Sequence, residues 1–186
     1  MVTKMSEHSF AFIVSGVDAH ADDFADRFYE AGCDDATLML VNSLVAVCFA
    51  REAENYTHAV VSAYHNILST GAKVERFEPD FLVSKAEIAK RANLTRAAVT
   101  NYVNGERGMD FPAPHARITS ASPLWDWVEV SGWLHKNDLL PVEEVVNARI
   151  SRTINWVVQN IGKVVPDTEK NFARLLEGAA KEPLFA

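Results

Sequence analysis

Two cysteines, Cys33 and Cys48, are all that this 186-residue chain offers for thiol chemistry. They are too few and too far apart for a disulfide framework or a Cys-x-x-Cys metal or redox pair, and both are expected as buried apolar residues. Long apolar runs are equally scarce. No stretch approaches the roughly 18 uninterrupted apolar residues of a membrane-spanning helix, and Lys4–His8 brings no signal-peptide apolar block, so no membrane partner and a cytoplasmic location are expected. With 8 glycines and 7 prolines the chain is not collagen-like, and 48% apolar content is too high for global disorder.

Catalytic signatures are missing as well. The sequence contains no phosphate-binding glycine loop, no His-Glu-x-x-His zinc helix and no nucleophile elbow. Six histidines, His8, His20, His58, His65, His115 and His135, are scattered without carboxylate or cysteine partners at ligand spacing. No enzyme activity, cofactor or metal is expected.

The net charge of −7 argues by itself against a polyanionic partner, but it is unevenly spread. Residues 1–79 carry five basic and twelve acidic side chains, residues 80–120 six and four, and residues 121–186 seven and nine. The middle is the only basic stretch, so any contact with phosphate belongs there.

Periodicity divides the first 79 residues into short elements. Ser9–Ser15 is rich in β-formers and closed by Gly16, while Phe24, Phe28 and Tyr29 recur at helical spacing between about Ala21 and Ala31 before Gly32. Thr37–Val41 and Leu44–Phe49 are two β-prone runs joined by Asn42-Ser43, a hairpin-sized connection. Ala59, Val60, Ala63, Tyr64, Ile67 and Leu68 share a helical face within Ala53–Thr70, and Lys73–Phe77 alternates up to Pro79. The order βαββαβ predicts a ferredoxin-like domain within an α+β chain. This architecture hosts many activities and selects none. The acidic cluster Asp18, Asp22, Asp23 and Asp26 with His20 is expected as solvated carboxylates near a helix N-terminus, and Asp34 and Asp35 as loop residues.

The strongest signal lies between Ser84 and Val103. Ser84 and Glu87 have capping-box spacing, a second helix start falls at Thr95, and Ile88, Ala89, Leu94, Val99, Tyr102 and Val103 form an apolar seam between two short helices. Beyond Asn104-Gly105 come Phe111-Pro112-Ala113-Pro114, a β-prone stretch through Arg117-Ile118, a turn-rich Thr119–Pro123, and Trp125-x-x-x-Glu129-Val130-x-x-Trp133-Leu134. Trp125, Val130, Trp133 and Leu134 are expected in the core and Glu129 in solvent. Residues of about 82–136 resemble the winged helix-turn-helix of phage excisionases, AlpA-type prophage regulators and the MerR class. Where that family prefers glycine in the turn, this chain has Asn93, the next-best residue for a left-handed backbone.

That resemblance implies double-stranded DNA as the partner, with the second helix in the major groove. It makes Thr95, Arg96, Ala97, Thr100 and Asn101 the candidates for base edges: Arg96 matches guanine O6 and N7, and Asn101 matches adenine N6 and N7. Lys85, Lys90, Arg91 and Arg107 are then phosphate contacts, and Arg117 with His115 lies on the wing.

After Pro141, a helical pattern runs from Val142 through Ile150, Ile154 and Val158 to Ile161 and Gly162, and Pro166-Asp167 opens another containing Phe172, Leu175 and Leu176. The expected organisation is 1–79 ferredoxin-like, 80–140 winged helix-turn-helix, and 141–186 C-terminal helices that pack on the N-terminal sheet or form a homodimer. The function expected is a transcriptional regulator, acting as a dimeric repressor of a local operon. An excisionase-like architectural factor, an antitoxin whose protein partner is encoded nearby, and a metabolite sensor are the alternatives.

Overall fold

In the computed structural model, which describes residues 4–160 and 168–183, the chain is a mixed α+β protein. Its elements are β1 (Ser6–Ser15), α1 (Phe24–Glu30), β2 (Ala36–Val41), β3 (Leu44–Ala53), α2 (Tyr56–Ser69), β4 (Lys73–Glu78), β5 (Leu82–Val83), α3 (Lys85–Arg91), α4 (Arg96–Val103), β6 (Trp125–Asp126), α5 (Trp127–Lys136), α6 (Val142–Asn160) and α7 (Thr168–Lys181). Among the described residues, no helix is long and apolar enough to cross a membrane. Ile161, Gly162, Pro166 and Asp167, expected to close one helix and open the next, lie outside the described residues.

Two compact units share the chain: Met1–Pro79 with Thr153–Ala180, and Asp80–Arg152 with Lys181–Ala186. Residues 141–186, expected as one helical segment, are thus divided between them.

In the first unit, β1, β2, β3 and β4 form an antiparallel sheet in the order β2-β3-β1-β4. Strand alternation puts Phe10, Phe12, Val14, Val45, Val47, Phe49 and Phe77 on one face, and all are buried. Phe10 stacks on Phe49 and Phe77 at 5.3 and 5.7 Å between ring centroids, and Phe12 meets Tyr64 of α2 at 6.1 Å. Asn42 and Ser43 both take positive φ, 48° and 66°, the backbone that a two-residue turn between right-twisted strands demands.

Several boundaries differ from the sequence reading, for local reasons. The strand β3 continues to Ala53, and α2 starts only at Tyr56 because the Asn55 side chain accepts a hydrogen bond from the His58 N–H at 3.0 Å. Helix α1 starts at Phe24, since Ala21 and Phe24 are spent in turns, their N–H groups donating to the carbonyls of Asp18 and Ala21. Cys33 is buried, but Cys48 is only half-buried. Burial pushes the Cys33 thiol up from 9.0 to about 11, so it is protonated and unreactive near neutral pH.

Two polar groups inside this unit hold distant segments together. Arg51, 8% exposed, grips Asp35 with two hydrogen bonds of 2.7 and 2.8 Å, donates to Ser62 Oγ and the Gly32 carbonyl, and lies over the Phe49 ring. Gly32 has φ +83°, the left-handed backbone that favours glycine, and a Cβ there would stand 2.5 Å from Asn66 Nδ2 and push that amide aside. Asn155 of α6, 1% exposed, spans the Phe77 backbone: its Oδ1 accepts from the Phe77 N–H at 2.9 Å and its Nδ2 donates to the Phe77 carbonyl at 3.0 Å. Phe172 of α7 stacks on Tyr64 at 3.9 Å, and Ile154, Val157 and Leu176 are buried. Part of the C-terminal segment therefore completes the first unit's own core.

Candidate nucleic-acid interface

The second unit is built on two short helices whose ends are both chemically specified. Ser84 Oγ accepts from the Glu87 N–H and the Glu87 carboxylate accepts from the Ser84 N–H, closing the capping box that opens α3. The Thr95 hydroxyl accepts from the Ala98 N–H at 3.1 Å and opens α4. Between them Asn93 has φ +52°, and the Leu94 N–H closes the turn on the Ala89 carbonyl at 2.8 Å. Left-handed backbone at the turn lets α4 leave α3 at once. Ile88, Ala89, Val99 and Tyr102 are buried along the seam, with Leu94 and Val103 half-buried beside them.

The floor under these helices is aromatic. Tyr102, Phe111 and Trp133 form a triangle in which Trp133 meets both other rings edge-on at 5.0 Å. Trp133 Nε1 donates to the Met109 carbonyl at 2.9 Å, and Trp125 Nε1 to the Pro112 carbonyl at 3.1 Å, so both indoles tether the loop after α4. Gly108 has φ +69° and lies so close to Trp133 that a Cβ would come within 2.8 Å of the ring. Trp125, Trp127, Val130, Trp133 and Leu134 are buried and Glu129 is exposed.

Two expectations about this region change. Trp125, the first residue of the Trp-x-x-x-Glu-Val-x-x-Trp-Leu pattern, precedes the helix that carries the rest of it: Trp125 sits on β6, paired with Val83 of β5, and α5 starts after Asp126, whose carboxylate accepts from the Val128 N–H at 2.8 Å. The β-prone stretch through Arg117-Ile118 is a pinned loop and not a strand. Ala116 bridges Leu124, but Arg117 turns to φ +53° and Ile118 is 65% exposed. A non-glycine residue in left-handed backbone ends strand pairing at that point, which the β-propensity of Ile118 alone does not reveal.

The candidate contact residues separate by how firmly each is held. Arg96, Ala97, Lys90, Arg107 and Arg117 are exposed, and Lys85 is half-buried. Arg96 stands in the first turn of α4, and the Arg107 guanidinium lies 5.5 Å from the Tyr102 ring. Arg91 is committed to the fold: half-buried, it donates to the Asp80 carbonyl at 2.8 Å and stacks over Trp127. Thr95 is engaged as a cap, and the Thr100 hydroxyl donates to the Arg96 carbonyl at 2.9 Å. Asn101, with its amide nitrogen turned toward them, donates to the Ala97 carbonyl and to Glu106 Oε2 at 3.2 and 3.3 Å. To pair with adenine its amide must leave Glu106.

Sequence reasoning did not find Asp126, which is 3% exposed and caps α5 while its second oxygen accepts from Arg152 at 3.1 Å. Its Asp-x-Val helix start was the available signal, masked by the aromatic run around it. His115, Asp126 and Glu129 bring potential ligand atoms within 4.8 Å of one another. Both Asp126 oxygens already serve as acceptors, and the neighbouring Arg152 guanidinium supplies positive charge to the same carboxylate. No family model, characterised protein or solved structure matches the chain.

Proposed function

We propose that this protein is a sequence-specific regulator of transcription that binds double-stranded DNA through a winged helix-turn-helix spanning about residues 82–136, similar to that of excisionases, AlpA-type prophage regulators and the MerR class. It acts as a dimer and represses a local operon by occluding its promoter. The first unit is then a ferredoxin-like domain, a reading supported by its βαββαβ order and its strand order β2-β3-β1-β4.

One observation carries the proposal: two capped helices joined through left-handed Asn93 bury Ile88, Ala89, Val99 and Tyr102 between them while leaving Arg96, Ala97 and Lys90 exposed. A merely structural helical hairpin needs the seam but has no use for an exposed arginine in the first turn of its second helix, the end whose dipole disfavours a cation. In an otherwise acidic chain, phosphate attraction gives Arg96 one, and Lys90 adds to it from the last turn of α3. Arg96 is the strongest base reader, because Thr95, Thr100 and Asn101 are each engaged within the unit. Arg91 holds Asp80 and Trp127 and acts on DNA through that support.

The test compares two alanine variants on DNA selected from a random pool. Arg96→Ala is expected to lose about 1–3 kcal/mol of specific binding and to relax preference at one base position. Lys90→Ala is expected to weaken all duplexes alike. Equal, sequence-independent losses from both would remove Arg96 from base recognition.

A further inference from the structure

The two edges of the four-stranded sheet are finished differently. At the β4 edge, Asn155 satisfies the outward N–H and C=O of Phe77 with its own amide, so that edge is plugged by a side chain imitating a strand. At the other edge, β2 reads Ala-Thr-Leu-Met-Leu-Val, with no charge, proline or bulge to discourage pairing. Met39, Leu40 and Val41 are 51, 58 and 42% exposed. From the two-residue turn at Asn42-Ser43, Val41 and Leu44 are a hydrogen-bonded pair, and alternation makes Met39 and Thr37 the next residues bonded to β3. Leu38 and Leu40 therefore turn their backbone groups outward, away from the sheet.

We infer that β2 is the interface through which two copies of this chain associate, pairing antiparallel across a two-fold axis at Met39 into one continuous eight-stranded sheet. In this register Leu38 faces Leu40 of the second copy as a hydrogen-bonded pair, Thr37 faces Val41, and Met39 faces itself. Every outward donor meets an outward acceptor, and every apolar side chain meets another or a threonine methyl. Beneath the edge, Phe28, Tyr29, Ala36 and Leu38 line a groove of about 360 Å³ between α1 and β2. Leu40 of the second copy enters on that side, since Leu38 and Leu40 share the face of buried Val45 and Val47.

Charge selects the antiparallel arrangement. Asp34, which lines the groove beside the start of β2, would lie next to its own copy in a parallel pairing. Antiparallel pairing separates the two by ten residues, about 34 Å at about 3.4 Å per residue, well beyond a screening length of about 8 Å. The inference does not rest on DNA binding; it supplies the dimer that a two-half-site regulator uses.

Sedimentation of the full chain without DNA tests it. The wild type is expected at twice the 20.6 kDa chain mass, and Met39→Lys, placing two like charges opposite each other at an exposed position, at the chain mass with unchanged circular dichroism. In a non-hydrogen-bonded antiparallel pair, Cα atoms about 4.5 Å apart suit a disulfide, so Met39→Cys is expected to cross-link two chains on mild oxidation. Thr37→Cys, which faces Val41, is expected to cross-link no more than wild type. This pair of variants decides the matter even if Met39→Lys fails to fold. A wild type that stays monomeric at high micromolar concentration, a Met39→Lys dimer, or equal cross-linking by both cysteine variants would overturn the inference. A monomeric Met39→Lys that still binds a single half-site separates failure of the interface from failure of DNA recognition.

Discussion

Replacing Trp133 by alanine is expected to cost the second unit about 3–5 kcal/mol, the range for emptying a large aromatic site. The ring is buried, meets Tyr102 and Phe111 at 5.0 Å, and its Nε1 holds the Met109 carbonyl. Removing it leaves a cavity against Gly108 and frees the loop that follows α4. Urea unfolding followed by circular dichroism measures the loss. Trp133→Phe keeps most of the packing and loses the hydrogen bond; because Met109 is 84% exposed, water can replace that donor. The phenylalanine variant is therefore expected to lose much less than the alanine variant. An alanine variant as stable as wild type that had lost only DNA affinity would make Trp133 a contact residue instead of a support.

The second large effect is expected in the first unit. Asp35→Ala strands the Arg51 guanidinium, whose side chain is 9% exposed, without its bidentate partner. Breaking a buried pair from one side costs about 3–5 kcal/mol; since the Asp35 side chain is 28% exposed, about 3 kcal/mol is expected. Replacing both partners, Asp35→Leu with Arg51→Met, removes the charge along with its partner and is expected to cost less than Asp35→Ala alone. A loss below about 0.5 kcal/mol for Asp35→Ala, the scale of exposed pairs, would show that water already solvates Arg51.

Those two residues also mark where sequence reasoning stops. Caps and turns are local, so Ser84 with Glu87, Thr95, Asn93 and Asn42-Ser43 were legible from neighbours a few positions away. The apolar periods of α2, α4 and α5 were legible for the same reason. Asp35 read as a loop carboxylate because Arg51, sixteen positions later, comes beside it only after β2 and β3 pair. Asn155 gave no sign of closing an edge strand 78 positions earlier. In the candidate interface, the cations were legible as a charge excess, but their duties were not. Arg91 differs from Lys90 only through Trp127 and Asp80, and the hydrogen bonds that engage Thr100 with Arg96 and Asn101 with Glu106 are not marked by residue type or charge. The stretch through Arg117-Ile118 is not a strand, because a β-branched residue favours strands only on average whereas Arg117 at φ +53° diverts the chain.

Titration of a fluorescent duplex, enriched from random DNA, at rising salt tests most directly whether the basic middle of this acidic chain is a DNA-reading surface. With about three phosphates neutralised per protomer through groups such as Lys85, Lys90 and Arg107, a dimer contacts about six, and log K is expected to fall against log salt with a slope of about −5. The enriched duplex is expected to outcompete random DNA at every salt concentration. Absence of saturable duplex binding at low salt, or affinity indifferent to both salt and sequence, would contradict DNA recognition by α4.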